Sequence, residues 1–101
     1  MEWSPPFAIT RHMRRLLVAL DQDPGPWYGI DLARASGLSA PRLYPLLFRL
    51  HSAGWVSRSF EPAWVVGTYA PGPAGRPERA VYALTPEGVR QVARALSATA
   101  D

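Results

Sequence analysis

The chain has 101 residues, 48% of them hydrophobic, with eleven arginines, no lysine and a formal net charge of +3. One core accounts for that length and leaves no room for a second, catalytic domain, because cores seldom divide below about 150 residues. The absence of cysteine excludes disulfides, thiolate catalysis and zinc-finger ligation, while an all-arginine positive charge, whose forks match phosphate oxygens and guanine edges, favours a polyanionic partner.

Residues 1–6 read as an arm. Pro5 and Pro6 oppose early helix, and Trp3 and Phe7 are placed to anchor the arm on an apolar surface. Over 7–20, Ile9, Met13, Leu16, Leu17 and Leu20 keep a 3.6-residue period and predict the first helix. Its opposite face carries Arg11, Arg14, Arg15 and Val18, which reads more readily as a solvated face than as a phosphate contact. The apolar run 16–20 is too short for a signal peptide or a membrane span, which predicts a cytoplasmic protein with no membrane partner. Two prolines and a glycine make 21–26 a turn.

Trp27 and Tyr28 read as core aromatics ahead of a second helix over 29–35, in which Ile30, Leu32 and Ala33 must meet the first and third helices while Asp31 stays at the surface. Gly37 joins it to a third helix over 39–53. Ser39 is a good N-cap because its hydroxyl can accept from an orphan N–H of the first turn, and Pro41 is tolerated there because that turn needs no donor. Gly54 is the stop. Leu43, Leu46, Leu47 and Leu50 fall on one stripe at 100° per residue, the pattern of a helix laid on a core. The far side then presents Pro41, Pro45 and Ser52, flanked by Arg42 and Arg49 on one edge and by Tyr44 and Phe48 on the other. Between Leu32 and Phe60 stand four arginines and no carboxylate. Pro45 lies past the first turn, where it removes the bond to the Pro41 carbonyl at a cost of about 3 kcal/mol, and a bend in a groove-facing helix is one use for it. Two short helices around a glycine, the second with a basic and aromatic outer face, make a helix-turn-helix whose second helix enters the DNA major groove.

Residues 55–60 and 79–84 predict an antiparallel strand pair, a wing. The long connection 61–78 between them includes PAWVVGTY, which can extend the hairpin, fold over the core or act as a contact surface. An exposed Trp64, Val65, Val66 and Tyr69 cluster would be unusual for a monomer. Arg76 sits among glycines and prolines that suit a tip reaching a phosphate or the minor groove. A fourth helix over 86–99 follows, with Thr85 as cap, Pro86 at its first position and Glu87 facing the positive end of the dipole. Val89, Val92, Ala93 and Leu96 form its apolar stripe, with Arg90 and Arg94 on a polar side. The expected class is therefore α+β, mainly α: a single winged helix-turn-helix domain spanning 1–101, made of three helices, a two-stranded wing and a C-terminal helix.

The run LYPLLFRL at 43–50, preceded by YGIDLA and followed by GRPERAVYALTPEG at 75–88, resembles the PadR-like winged helix-turn-helix regulators, over residues 28–88. The resemblance implies a transcriptional repressor in which the helix after the Tyr-Gly pair supports the recognition helix. It also implies that the fourth and first helices form a dimer interface, and that a small aromatic or drug-like effector can be held at the dimer centre. The family shares the Leu-Tyr-Pro sequence, and its wing tips are shorter than the connection in this chain. The fourth helix here carries no aromatic residue for such an effector. At about 14 residues, or roughly 21 Å, it offers one narrow stripe for both its own core and a partner.

Catalysis or metal binding would need convergent His, Cys, Asp or Glu. This chain offers only His12 and His51, far apart, and eight scattered acids, so neither an enzyme nor a cofactor is expected. The expected partner is double-stranded DNA carrying an inverted-repeat operator, bound by a homodimer. Arg42 is the candidate for a guanine edge. Tyr44 and Ser39 are candidates for a phosphate or base edge beside Pro45, Arg49 for a phosphate, and Arg76 or Arg79 for the backbone through the wing. Val89, Val92 and Leu96 are the dimerisation candidates. The contrasting reading is a winged helix used as a protein-interaction module, docking through PAWVVGTY.

Overall fold

The computed structural model describes residues 3–61 and 79–99. Their order is α1 (Arg11–Gln22), β1 (Trp27–Tyr28), α2 (Gly29–Ser36), α3 (Ala40–Ser52), β2 (Val56–Glu61), β3 (Arg79–Leu84) and α4 (Pro86–Thr99). The expected fold class holds, with corrections in its parts.

The first helix starts four residues later than its apolar period suggested. Thr10 caps it, its hydroxyl accepting from the Met13 N–H at 3.1 Å, and the preceding segment is drawn into tertiary contacts instead. Phe7 packs on Trp55 with ring centroids 4.7 Å apart. The Trp3 indole donates to Gln91 Oε1 at 2.6 Å. The arm is thus anchored by the two aromatics the sequence singled out.

The second correction is a third strand. Trp27 and Tyr28 pair antiparallel with Tyr82 and Val81, giving a sheet ordered β1-β3-β2 in place of a two-stranded wing. Two residues are too short a run for any alternation to show in the sequence. β2 and β3 pair as expected, in a register running from Val56 opposite Leu84 to Glu61 opposite Arg79.

The two helices of the helix-turn-helix are set by α2's exit. Gly37 adopts φ +73°, a left-handed conformation that an L side chain would strain, and the N–H groups of Gly37 and Leu38 both return to the Ala33 carbonyl. Leu38 is buried and Ser39 begins α3. Ser39 stands at the N-cap, but its hydroxyl makes no capping bond, so the expected side-chain cap is corrected: the first-turn N–H groups of Arg42 and Leu43 go to its carbonyl instead. Pro45 sits inside the helix as expected.

One apolar cluster joins the elements. Met13, Leu16, Leu17 and Leu20 of α1, Leu32 of α2, and Leu43, Leu47 and Leu50 of α3 meet Trp55, Val56 and Tyr82 of the sheet region and Val92 and Ala95 of α4. Each fully buried leucine contributes about 1.5–3 kcal/mol relative to an exposed one. Leu46 is only partly buried. Ile30, expected to meet α1 and α3, is instead 55% exposed; on an eight-residue helix Leu32 faces inward, and a position two residues away points elsewhere.

Helix α4 starts at a junction made by one hydroxyl. Thr85 Oγ1 accepts from the Gly88 N–H at 2.9 Å and donates to the Gly54 carbonyl at 2.7 Å. Glycine is required at 88 by space, since a Cβ there would collide with the Trp55 carbonyl. The α4 stripe is accordingly Gly88, Val92 and Ala95. Val89 and Ala93, expected on the same stripe, are exposed.

Candidate nucleic-acid interface

Because Leu43, Leu47 and Leu50 turn inward, the remaining surface of α3 is presented outward: Ser39, Pro41, Arg42, Tyr44, Pro45, Phe48, Arg49 and Ser52 are all exposed. Phe48 is 70% exposed and Tyr44 46%, a large apolar area on a helix this short. The Ser39 hydroxyl, uncommitted to a cap, is open to a partner.

Arg42, in the first turn, is held by a residue from another helix. Its Nη1 lies 3.1 Å from His12 Nε2 of α1. Arginine can only donate, so His12 accepts at Nε2 and carries its proton on Nδ1; Nδ1 is buried and finds no partner among the described residues. Desolvation, then the charges of Arg42, Arg11 and Arg15, hold the His12 pKa below its ordinary value of 6.5. A neutral His12 is the form this contact requires. Nothing in the sequence spacing announced it, because residues 12 and 42 meet only through the packing of α1 on α3.

Tyr44 leans toward the start of α2, its hydroxyl lying where a side chain at Gly29 would stand. Gly29, after Tyr28, therefore leaves the room into which the α3 tyrosine fits. On the next turn, Tyr44, Leu47, Phe48 and His51 of α3 line a depression with Arg58 of β2 and Tyr82 of β3. Arg58 was not among the expected site residues. Its guanidinium lies 4.7 Å from the centre of the Phe60 ring, two residues along the same strand. Arg49 faces a shallow depression shared with Pro6, Phe7, Phe48 and Ser52 on the other side of α3.

Arg79, at the end of the wing strands that adjoins the 61–78 connection, stacks 3.8 Å from the centre of the Tyr28 ring. Arg76 and the PAWVVGTY segment lie outside the described residues.

The three dimerisation candidates have three different environments. Val92 is wholly buried in the chain's own core, which corrects its expected place in an open seam, because the helix needs that side chain for its own attachment. Val89 is 48% exposed, and Leu96 packs partly on the core. Trp3 and Phe7 of the arm are engaged within the chain.

The fold and the exposed third helix define a winged helix-turn-helix protein. No protein-family model and no curated protein matches the chain. Among solved structures it is similar to a PadR family transcriptional regulator from Eggerthella lenta, at 26% identity and TM-score 0.60, covering 85% of this chain and 74% of that one. It is similar also to a PadR-like transcription factor from Bacteroides fragilis, at 23% identity and TM-score 0.58, covering 85% and 79%. A third is BpsR of Bordetella bronchiseptica, whose DNA binding is regulated by 6-hydroxynicotinic acid, at 19% identity and TM-score 0.62, covering 94% of this chain and 61% of that one. The chain is PadR-like in fold, and of these three structures two are transcription regulators of that kind and the third is a protein whose DNA binding is regulated.

Proposed function

We propose that the protein is a non-catalytic, sequence-specific double-stranded DNA-binding transcriptional repressor acting in the cytoplasm. In this reading α3 lies in the major groove, with Arg42 on a guanine edge and Ser39, Tyr44 and Arg49 on neighbouring phosphates or base edges. Pro45 shapes the helix between them. The wing, with Arg79 at the outer end of its strands and Arg76 in its connection, follows the backbone. The observation that carries the reading is the outer face of α3: exposed arginines and aromatics with no carboxylate, held out by a leucine stripe on the other side.

One module of this size buries too little for tight specific binding, so the active form in this reading is a two-fold dimer. Its recognition helices would lie about 34–36 Å apart, on an inverted repeat. The exposed Val89, with Leu96 beside it, is the part of α4 open to a second copy. Val89→Glu should then weaken dimerisation in sedimentation while leaving the fold intact; an unchanged dimer would move the interface away from α4. Effector control by a small aromatic acid, of the class that regulates BpsR, completes the proposal. It is checked by whether hydroxylated aromatic acids shift the DNA-binding midpoint.

Selection of bound fragments from random duplex DNA tests the function as a whole. The expected result is an enriched inverted repeat, bound with a slope of log K against log salt of about −4 to −7, for two copies each placing two to four arginines on phosphates. No enrichment and no retention of duplex at low salt would refute it.

A further inference from the structure

Beyond α3 and the wing, the described surface holds a second concentration of positive charge. Arg11, Arg14 and Arg15 of α1 line a cleft of about 540 Å³ with Arg34, at the end of α2. No acidic residue lines it; Val18, Ala35, Ser36 and Gly37 complete its walls.

The other described arginines outside this cleft are mostly engaged. Arg42 meets His12, Arg90 pairs with Glu87, and Arg58, Arg79 and Arg94 lie over aromatic rings. Among the described residues, none of the four cleft arginines has an ion pair, a side-chain hydrogen bond or a ring contact, and Asp31, one turn before Arg34, does not pair with it. Part of their placement also runs against helix electrostatics: the first turn of α1 holds Arg11 and Arg14 and no acidic residue, where the positive end of the helix dipole disfavours cations, whereas Arg34, in the last turn of α2, stands where the dipole favours one. Departures from such local rules concentrate at functional sites.

The cleft is next to the reading helix. His12 lies between Arg11 and Arg15 along the chain, touches Arg42, and feels the charges of Arg11, Arg15 and Arg42 together. A duplex that brought a base edge to Arg42 would carry its flanking strand toward the start of α1.

We propose that the cleft between α1 and the end of α2 is a phosphate-binding site, which grips the DNA backbone beside the major groove read by α3. Guanidinium forks suit phosphate oxygens, and phosphate contacts fix register without reading sequence. The proposal rests on the DNA-binding reading and adds to it a second set of backbone contacts, from the first helix.

The test uses the full chain and a random-sequence 30-base-pair duplex, with affinity followed by fluorescence anisotropy across a salt series. Arg11→Gln with Arg15→Gln, two exposed positions, should make the slope of log K against log salt shallower by about 1.8 per bound protomer, or roughly 0.9 for each phosphate no longer neutralised. The loss should be the same on random duplex and on a selected site. Arg34→Gln alone should move the slope by about half that amount. Arg90→Gln with Arg94→Gln removes the same formal charge from α4 and should leave the slope near that of the wild type. An unchanged slope in the cleft variants, or an equal change in the α4 variant, overturns the proposal while leaving DNA binding standing. Failure of the wild type to bind duplex would overturn both.

Discussion

Helices α3 and α4 are nearly equal in length, 13 and 14 residues, and each buries three positions, yet they are attached in opposite ways. α3 is held by three leucines, which stand its axis off from the core and leave a broad outer face. α4 is held by glycine, valine and alanine, which bring its backbone against the Trp55 carbonyl. Their charges differ in the same sense. On α4, Arg90 is paired with Glu87 at 2.5 Å and Arg94 lies over the Trp3 ring. On α3, Arg42 and Arg49 meet no carboxylate among the described residues. The arginines of α4 find partners on neighbouring side chains of the same chain, while the outer face of α3 stays exposed.

Core substitutions should break this comparison most severely. Leu47→Ala removes a fully buried side chain from beneath α3 and should cost about 2–5 kcal/mol in denaturant unfolding. Gly88→Ala should cost roughly 1–3 kcal/mol by overpacking against Trp55. If Gly88→Ala were neutral, the close approach of α4 would not be as tight as the geometry indicates.

At the surface the two helices should diverge in function. Arg42→Ala should lose about 1–3 kcal/mol on a selected site with little change in stability. Arg94→Ala, on α4, should stay within about 0.5 kcal/mol in stability and leave the base preference unchanged, as read by parallel binding titrations. Loss of the Thr85 cap in Thr85→Ala should cost about 1 kcal/mol of stability, with no change in base preference.

The smallest effect is on pH. The fold holds His12 neutral, with its pKa below 6.5, so the unfolded chain takes up the proton first as pH falls. His12 therefore favours the fold less and less from about pH 6.5 downward, and its contribution is pH-independent well above that value. Replacing it by glutamine should flatten this part of the stability profile, measured as the difference in Tm between the two proteins across pH 5–8. An identical profile in the variant would show that His12 is not held neutral by its surroundings.

Much of this architecture was legible in the sequence because it rests on local signals. The leucine period of α3, Gly37, Gly54, and the Thr85-Pro86-Glu87 start of α4 each carry a mechanism that works within a few residues, and the structure places all of them as expected. What the sequence did not reveal depends on distant packing. β1 is too short for periodicity and exists only because Tyr82 and Val81 lie beside it. Val92 looked available until the core claimed it, and the His12–Arg42 contact joins residues 30 positions apart. The residues on the outer face of α3 follow from its helical period alone. The partners that orient those residues, His12 under Arg42 and Gly29 under Tyr44, come from the tertiary structure.

The claim that α3 reads DNA is tested most directly by pairing Arg42→Ala with single base-pair changes across a selected site. Binding free energies of wild type and variant on every substituted duplex give the coupling between Arg42 and each base pair. The account predicts coupling of about 1–3 kcal/mol at one guanine-containing pair in each half-site and near zero elsewhere. Uniform weakening on every duplex, with no coupled position, would contradict it and leave Arg42 as a phosphate contact only.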